Sequence, residues 1–410
     1  MSESTRTVLF ILLIALIALA GGKYLLRVSH REQGPRAGLF RMGIAIYLAL
    51  GLGLGRQGLG VLDDRMLANL EPVLDLALGW TGLLFGLQFR LPRLRRYPPG
   101  FTLVSFSQAL ATMLVVGAVM APALSSVFPA AAPEQLWPAV ILLAAVGAIS
   151  SPSATALAAR KVRKIKSGLG RLVHYVSSTD PVLPLVAFSI ATGFLRQGTL
   201  SLQNGLEAVA VSVLIGLVLG LLFYSFARHR HGENELIFFV LAFTVFSGGV
   251  ASYLGLSSLF ISAVIGATLA NRLEISERVF RVLATRERPI LIVFSVLVGA
   301  SWDPGSGAVP ALMMLLVLYL AARIAGKLGG MAVIRPVLGG RVESGSTLAG
   351  LALLGQGGMS IALVANYLLL GQGPVCSTAV TVALLAVVLF EALGAYAASV
   401  ALEERKGAGQ

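Results

Sequence analysis

The stretch HYVSSTDPVLPLVAFSIATG, residues 174–193, decides the fold class. Asp180 is the only carboxylate in it, and the residues after Asp180 are mostly apolar. A helix of about 20 such residues crosses a bilayer. A charge near the bilayer centre is costly, so a carboxylate there usually faces a water-filled cavity and handles ions or protons. The stretch therefore predicts a membrane helix that carries an ion- or proton-binding aspartate.

The composition agrees with a membrane protein. The 410 residues are 56% hydrophobic and 12% charged, whereas a soluble domain carries about 25% charged residues. The apolar runs are mostly about 20 residues long, which suits helices, and they lack the ten-residue alternation of barrel strands. We therefore predict an all-α integral membrane protein with about thirteen transmembrane helices.

Several other protein classes are excluded. The net charge of +13 comes from Lys and Arg in short loops between apolar runs, where these residues set membrane orientation, so we predict no nucleic-acid partner. Cys376 is the only cysteine, which excludes an intrachain disulfide or a Cys-based metal cluster. The four histidines form no HExxH arrangement. We predict a transporter without a cofactor, not an enzyme.

The loop charges predict the topology. Lys and Arg are concentrated in alternate loops, and cytoplasmic loops carry this excess. The N-terminus is therefore expected outside and the C-terminus in the cytoplasm of a multi-pass cell-membrane protein, assigned to a bacterial inner membrane. We expect no soluble regulatory domain. The predicted spans are 8–26, 38–60, 72–90, 101–123, 136–158, 173–195, 206–228, 235–253, 256–272, 288–304, 308–333, 346–369 and 376–402.

Two spans contain helix-breaking residues. Proline removes a backbone donor, serines compete for backbone groups, and glycines weaken a helix. One interrupted span in each half indicates an inverted-repeat transporter with two crossed broken helices and a midplane site. The alternative is that small residues only allow close helix packing. The residues at the interruptions are Ser150, Ser151, Pro152 and Ser153 in the fifth span and Gly355, Gln356, Gly357, Gly358, Met359 and Ser360 in the twelfth.

Four spans resemble monovalent cation:proton antiporters, in particular the branch that contains the potassium/proton exchangers. The resemblance is carried by SSPSATALAARK at 150–161, the loop VRKIKSGLGR, and SSTDPVLPLVAF at 177–188. LLGQGGMSIALV at 353–364 resembles the glycine-rich broken helix of that family, and LYLAARIAGKLGG at 318–330 resembles the Arg-bearing helix before it. The resemblance implies a sodium/proton antiporter-like fold and a monovalent cation exchanged for H⁺ across the membrane.

The same resemblance implies how the chain is organised. Residues 1–410 would form a single transmembrane transporter domain. Its mobile core would comprise the spans in 101–195 and 308–402, and its scaffold the spans in 8–90 and 206–304. The scaffold would join two copies of the chain, surrounded by lipid, into a homodimer.

The resemblance also implies an ion site at Asp180. Asp180 takes the position of the family's essential aspartate, and Thr179 that of its polar neighbour. We expect Na⁺ or K⁺ at Asp180, bound also by Thr179, Ser151, Ser153 and backbone carbonyls, and protonation of Asp180 would release the cation. Relatives place Lys, Arg or Glu where this chain has Met359. Without that charge nothing obvious neutralises Asp180, so we expect electroneutral exchange or lost activity.

Other polar residues in predicted spans have open roles. Glu391 is expected to form a structural ion pair with Arg323 or Lys327, because buried charges in lipid normally pair and the spacing of four puts both cations on one helix face. Asp75 would line either the cytoplasmic path to the site or a helix interface. His174, six residues before Asp180, is either an internal pH sensor or merely a solvated side chain.

Two alternatives remain at this point. One is a channel-like or transport-inactive membrane protein in which Asp180 only caps the helix that begins at Pro181, since Asp before Pro is a helix-start signal. The other is a sodium-coupled symporter for an organic anion, which would share the inverted-repeat architecture. The sequence does not choose between Na⁺ and K⁺.

Overall fold

The computed structural model describes residues 43–161, 168–197, 202–228, 232–304, 309–334 and 347–403. Within these ranges all regular secondary structure is helical and no strand occurs. The all-α prediction is therefore confirmed. The predicted span at 8–26 and the first residues of the span at 38–60 lie outside the described ranges.

The described helices follow the predicted spans along the chain, except that the helix predicted at 288–304 already begins at Leu273, so the arginine-rich segment predicted as a loop is helical. Seven helical segments among these residues are long and apolar enough to cross a membrane. The α-helices are α1 (Gly43–Leu54), α2 (Asp64–Gly86), α3 (Leu91–Leu94), α4 (Pro99–Val127), α5 (Pro133–Ala148), α6 (Pro152–Lys161), α7 (Gly168–Thr179), α8 (Val182–Gln197), α9 (Leu202–Ala227), α10 (Glu233–Leu254), α11 (Ser258–Ala270), α12 (Leu273–Ser301), α13 (Val309–Ile334), α14 (Gly358–Leu370) and α15 (Pro374–Glu403), with a 3-10 helix at Thr347–Leu353 before α14.

The two predicted interruptions are present. α5 ends at Ala148 and α6 begins at Pro152, with Ile149 extended at φ −73° and ψ 135°. The 3-10 helix ends at Leu353, and α14 begins at Gly358. The two extended segments meet, because the amide of Ser151 donates to the carbonyl of Gly355 over 2.8 Å. The prediction of two crossed broken helices is confirmed.

A third interruption lies at Asp180 and Pro181. α7 ends at Thr179 and α8 begins at Val182, so the predicted span 173–195 is a pair of helices. The amide of Asp180 still bonds to Val176 O, and that of Leu185 bonds to Pro181 O. Proline has no amide hydrogen and fits the first turn of a helix. The Asp–Pro pair therefore marks a helix start inside the membrane.

The described residues cluster in two compact units. The first falls within 1–91 and 210–303, and the second within 92–209 and 304–410. The predicted scaffold spans lie in the first unit and the predicted core spans in the second, apart from a few residues at the boundaries. Which unit moves, and which would join two copies, stays a prediction.

Glycines bring helices of the first unit into backbone contact. A Cβ added at Gly82 or Gly86 of α2 would collide with the backbone carbonyl of Leu259 or Ala263 on α11. A Cβ at Gly51 of α1 would collide with Val296 O on α12. Small residues at such positions let membrane helices approach closely. In this unit glycines therefore serve packing.

Membrane orientation stays a prediction, and cysteine accessibility can test it. In a variant whose buried Cys376 is replaced by Ala, Cys introduced at Ser167 should react with an impermeant thiol reagent only from the cytoplasmic side. Cys introduced at Glu134, near the start of α5, should react only from outside. Labelling in intact cells and in inverted vesicles measures both. The reverse pattern would mean that the span count or the orientation is wrong.

Candidate functional site

Asp180 lies at the crossing of the broken helices in the second unit. Asp180 is buried, with 1% of its surface exposed. Oδ1 accepts a hydrogen bond from the Ser150 amide (3.2 Å), and Oδ2 accepts one from Ser150 Oγ (2.6 Å). Ser150 belongs to the extended segment between α5 and α6. Because the helix is broken there, the Ser150 amide has no helical acceptor and can donate to the carboxylate. The break therefore supplies donors to the carboxylate.

Lys327 of α13 completes this cluster. Its Nζ lies 3.3 Å from Asp180 Oδ2, and both side chains have no exposed area. The same ammonium donates to Ala148 O (2.5 Å) and to Ser150 Oγ (2.8 Å). A buried charge needs a partner, and here each charge has the other. The expectation that nothing neutralises Asp180 is wrong, because Lys327 reaches it from a different helix than the one that carries Met359.

Arg323 lies one turn before Lys327 and is also fully buried. Its guanidinium donates to Gly147 O, Ile149 O and Leu354 O, each over 2.9 Å. These carbonyls lie at the end of α5 and just after the 3-10 helix, where backbone acceptors lack helical partners and helix dipoles are negative. Arg323 therefore holds both broken helices together.

The predicted ion pair of Glu391 with Arg323 or Lys327 is wrong. Arg323 bonds to backbone carbonyls, and Lys327 bonds to Asp180, Ser150 and Ala148. The Arg323 guanidinium also stacks on the ring of Phe390, 4.4 Å from its centroid. Neighbours on a helix point about 100° apart, so Glu391 faces elsewhere. Glu391 Oε2 is buried without a hydrogen-bond partner among the described residues.

Three predicted cation ligands bond away from Asp180 in the structure. Thr179 Oγ1 lies 2.8 Å from Ser105 Oγ and donates to Tyr175 O over 2.9 Å. Ser151 Oγ and Ser153 Oγ lie 2.8 Å apart and bond to each other. Ser150, predicted only as a helix-breaking residue, is the serine that contacts Asp180.

The second broken segment packs directly on the first. A Cβ on Gly357 would lie 3.0 Å from Ser151 Oγ, and one on Gly355 would lie 2.7 Å from the Cβ of Ala154. Gln356 Nε2 donates to Val146 O over 2.7 Å. Met359 lies partly buried in the first turn of α14, after Gly358, and Ser360 is fully buried there. Gly355 and Gly357 therefore allow the two broken segments to cross at close range. Close packing is also what the alternative interpretation of these glycines expected.

The contacts of the Asp180 carboxylate are not those of a helix cap. In the described part of the chain, its carboxylate oxygens bond to Ser150 and Lys327, which lie on other elements. The carboxylate therefore joins separate helices.

Asp75 and His174 have other hydrogen-bond partners among the described residues. Asp75 of α2 belongs to the first unit and accepts a hydrogen bond from Ser258 Oγ, in the first turn of α11, over 3.0 Å. It lies at a helix interface, one of its two predicted places. His174 is exposed on α7, and its backbone carbonyl accepts bonds from Ser177 and Ser178. Its pH-sensing role stays a prediction.

Comparison with known proteins decides the family. The model of the sodium/hydrogen exchanger transmembrane family matches residues 12–398. The chain belongs to the sodium/hydrogen exchanger family. This confirms the resemblance found in the sequence and makes the chain a multi-pass membrane protein of the cation/proton antiporter class. No curated protein sequence matches the chain.

Solved structures agree on the fold of this exchanger. It is similar to the sodium proton antiporter MjNhaP1 from Methanocaldococcus jannaschii at pH 8, with a TM-score of 0.67 and 16% identity over 97% of this chain and 99% of that one. An electron-microscopy structure of MjNhaP1 matches with a TM-score of 0.70 and 15% identity, over 97% and 98% of the two chains. The sodium/proton antiporter-like fold is thereby confirmed.

Proposed function

We propose that this exchanger is a secondary antiporter that trades a monovalent cation, Na⁺ or K⁺, for H⁺ at the Asp180–Lys327 pair. The observation that carries the proposal is the fully buried ion pair at the crossing of two broken helices. An intramembrane charge pair is costly to build and marks an ion or proton pathway. In inverted-repeat transporters the coupling site lies at such a crossing.

The contacts of Lys327 indicate where the cation binds. Its Nζ is held by Asp180 Oδ2, Ser150 Oγ and Ala148 O, which are a carboxylate, a hydroxyl and a backbone carbonyl. Hard cations take oxygen ligands of these kinds, and unwound carbonyls coordinate Na⁺ in this class of site. The transported cation would replace the ammonium on these oxygens. Thr179, Ser151 and Ser153 would bind it only after leaving their present partners.

Charge balance then links the cation to a proton. When the cation pairs with Asp180, Lys327 loses its counter-charge, and a buried ammonium without a partner is unfavourable. Lys327 therefore gives its proton to water as the cation enters and regains one as the cation leaves. In the cation-bound state, the charges of the Asp180 carboxylate, the neutral Lys327 amine and the cation add up to zero. In the proton-bound state, the charges of the Asp180–Lys327 ion pair also add up to zero. In this proposal the exchange is electroneutral because Lys327 gains and loses the proton. The reason given for electroneutral exchange from the sequence, that Met359 leaves Asp180 without a neutralising charge, does not apply.

The rest of the assembly belongs to the same proposal. The second unit would carry the site across the cell membrane, and the first unit would join two copies into a homodimer. Support comes from the location of Asp180, Lys327 and both broken helices within one compact unit.

Exchange in proteoliposomes tests the proposal. An outward Na⁺ or K⁺ gradient should drive proton uptake at equal rates when the membrane potential is clamped at zero and at a large negative value. Moving one net charge across 100 mV is worth about 2.3 kcal/mol, so a charge-moving cycle would respond strongly. Strong voltage dependence would contradict the one-for-one cycle. Inward movement of Na⁺ together with an organic anion would instead favour the symporter alternative.

A further inference from the structure

Glu391 lies on the inward face of α15, and its Oε2 atom has no hydrogen-bond partner among the described residues. It is partly buried. Residues on the opposite face of the helix are exposed, namely Leu389, Leu393 and Tyr396. Of the described residues on its own face, at spacings of three, four and seven, Val388 is half-buried and four are buried, namely Leu384, Val387, Gly394 and Ala398. Residues at these spacings lie on one stripe of a helix, so Glu391 points into the second unit and not toward lipid.

Among the described side chains of the neighbouring elements, no cation pairs with Glu391. α15 packs on α5, α6, α13, α14 and the 3-10 helix. α13 brings Arg323 and Lys327, whose donors bond to carbonyls, Ser150 and Asp180. α5 brings Glu134 near its start, α6 has Arg160 and Lys161 at its far end, and the other two elements contain no charged residue. A buried carboxylate oxygen without a donor is far less costly as a neutral acid than as an anion.

Glu391 is also coupled to the crossing through its own helix. Gly394, one turn later, touches Gly355, and a Cβ added there would lie 2.6 Å from Gly355 N. Gly355 O accepts the Ser151 amide over 2.8 Å, and the adjacent Ser150 binds Asp180. A displacement of α15 near Glu391 would therefore act on the segment that holds the transport carboxylate.

We propose that Glu391 is a second proton-binding site, separate from Asp180, whose ionisation loosens the packing of α15 on the broken helices and slows exchange. The neutral acid permits the dry Gly394–Gly355 contact. The anion requires water or a cation beside it, which pushes α15 away from Gly355. This proton is not carried across the membrane. The inference rests on the proposed function and adds regulation to it.

Infrared difference spectroscopy tests proton binding directly, on the full chain in lipid and without transport. Wild type minus Glu391→Gln should show the band of a protonated carboxyl group at neutral pH, and this band should fade as the pH rises. Glu391→Asp should retain such a band, and Glu134→Gln should not remove it. Superimposable spectra of wild type and Glu391→Gln at every pH would overturn the inference, whether or not the protein exchanges ions.

Transport and stability tests examine the coupling. Exchange by the wild type should fall at alkaline pH, while Glu391→Gln, which stays neutral, should keep a several-fold higher rate there; Glu391→Asp should follow the wild type. The melting temperature of Glu391→Gln in detergent should equal or exceed that of the wild type, because no ion pair is broken. An unchanged pH profile, or a clear loss of stability in Glu391→Gln, would contradict the coupling. The infrared result does not depend on whether Asp180 is the transport site. Failure of the proposed function, tested with Asp180→Asn, can therefore be told apart from failure of the inference about Glu391.

Discussion

Asp180→Asn is expected to reduce cation-driven proton movement in proteoliposomes to the level of empty vesicles. The carboxamide keeps an oxygen for the Ser150 amide, but it has no charge to bind a cation or to pair with Lys327. Neither step of the exchange can then occur. Dye-reported proton fluxes under Na⁺ and K⁺ gradients measure the effect. Wild-type exchange in this variant would remove the central claim.

The same substitution leaves the buried ammonium of Lys327 without a carboxylate. In soluble proteins, removal of one member of a buried ion pair costs about 3–5 kcal/mol. The double variant Asp180→Asn with Lys327→Gln removes both charges, so it should recover the melting temperature in detergent and still show no exchange. That result separates the chemistry of the pair from its contribution to stability. Exchange regained with stability would mean that the single variant merely unfolds.

Much of the fold could be predicted from the sequence because the bilayer restricts the solutions. Backbone groups in lipid must bond internally, so long apolar runs become helices. Where Pro152 follows two serines, and where Gly357 and Gly358 adjoin, the helix opens as predicted. Asp180 was found for a related reason, since an unneeded carboxylate inside a span is costly.

The partners of the charges could not be predicted in the same way. Spacing of four placed Arg323 and Lys327 on one face of α13, but it could not tell which neighbouring helix that face meets. Both cations bind backbone carbonyls that lack a helical hydrogen-bond partner only because the helices break. The sequence paired Glu391 with them because buried charges in lipid normally pair. Ser150 was overlooked for a similar reason, because its role depends on the side of the extended segment that faces Asp180.

One physical cause therefore accounts for both the site and the errors. An intact helix satisfies its own carbonyls and offers none to a cation, whereas each break leaves several unsatisfied. Arg323 occupies carbonyls of both breaks permanently, because a guanidinium does not readily lose its proton. Lys327 occupies one further carbonyl, that of Ala148, and an amine is able to release its proton when it is displaced. The difference between the two cations separates the brace from the exchange site.

Gly394→Ala is expected to impair both folding stability and exchange, because α15 contacts the second broken segment by backbone. The added Cβ would lie 2.6 Å from Gly355 N and closer still to Gly355 Cα, and neither is a side chain that can rotate away. Overpacking of this kind costs about 1–3 kcal/mol and occasionally more. Gly329→Ala on α13, where a Cβ meets nothing within 4 Å, is the matched control and should melt at or above the wild-type temperature. Melting in detergent and exchange in proteoliposomes are measured for both. Equal behaviour of the two variants would mean that α15 and the broken segment are not in close contact, and the route by which Glu391 acts on Asp180 would fall with it.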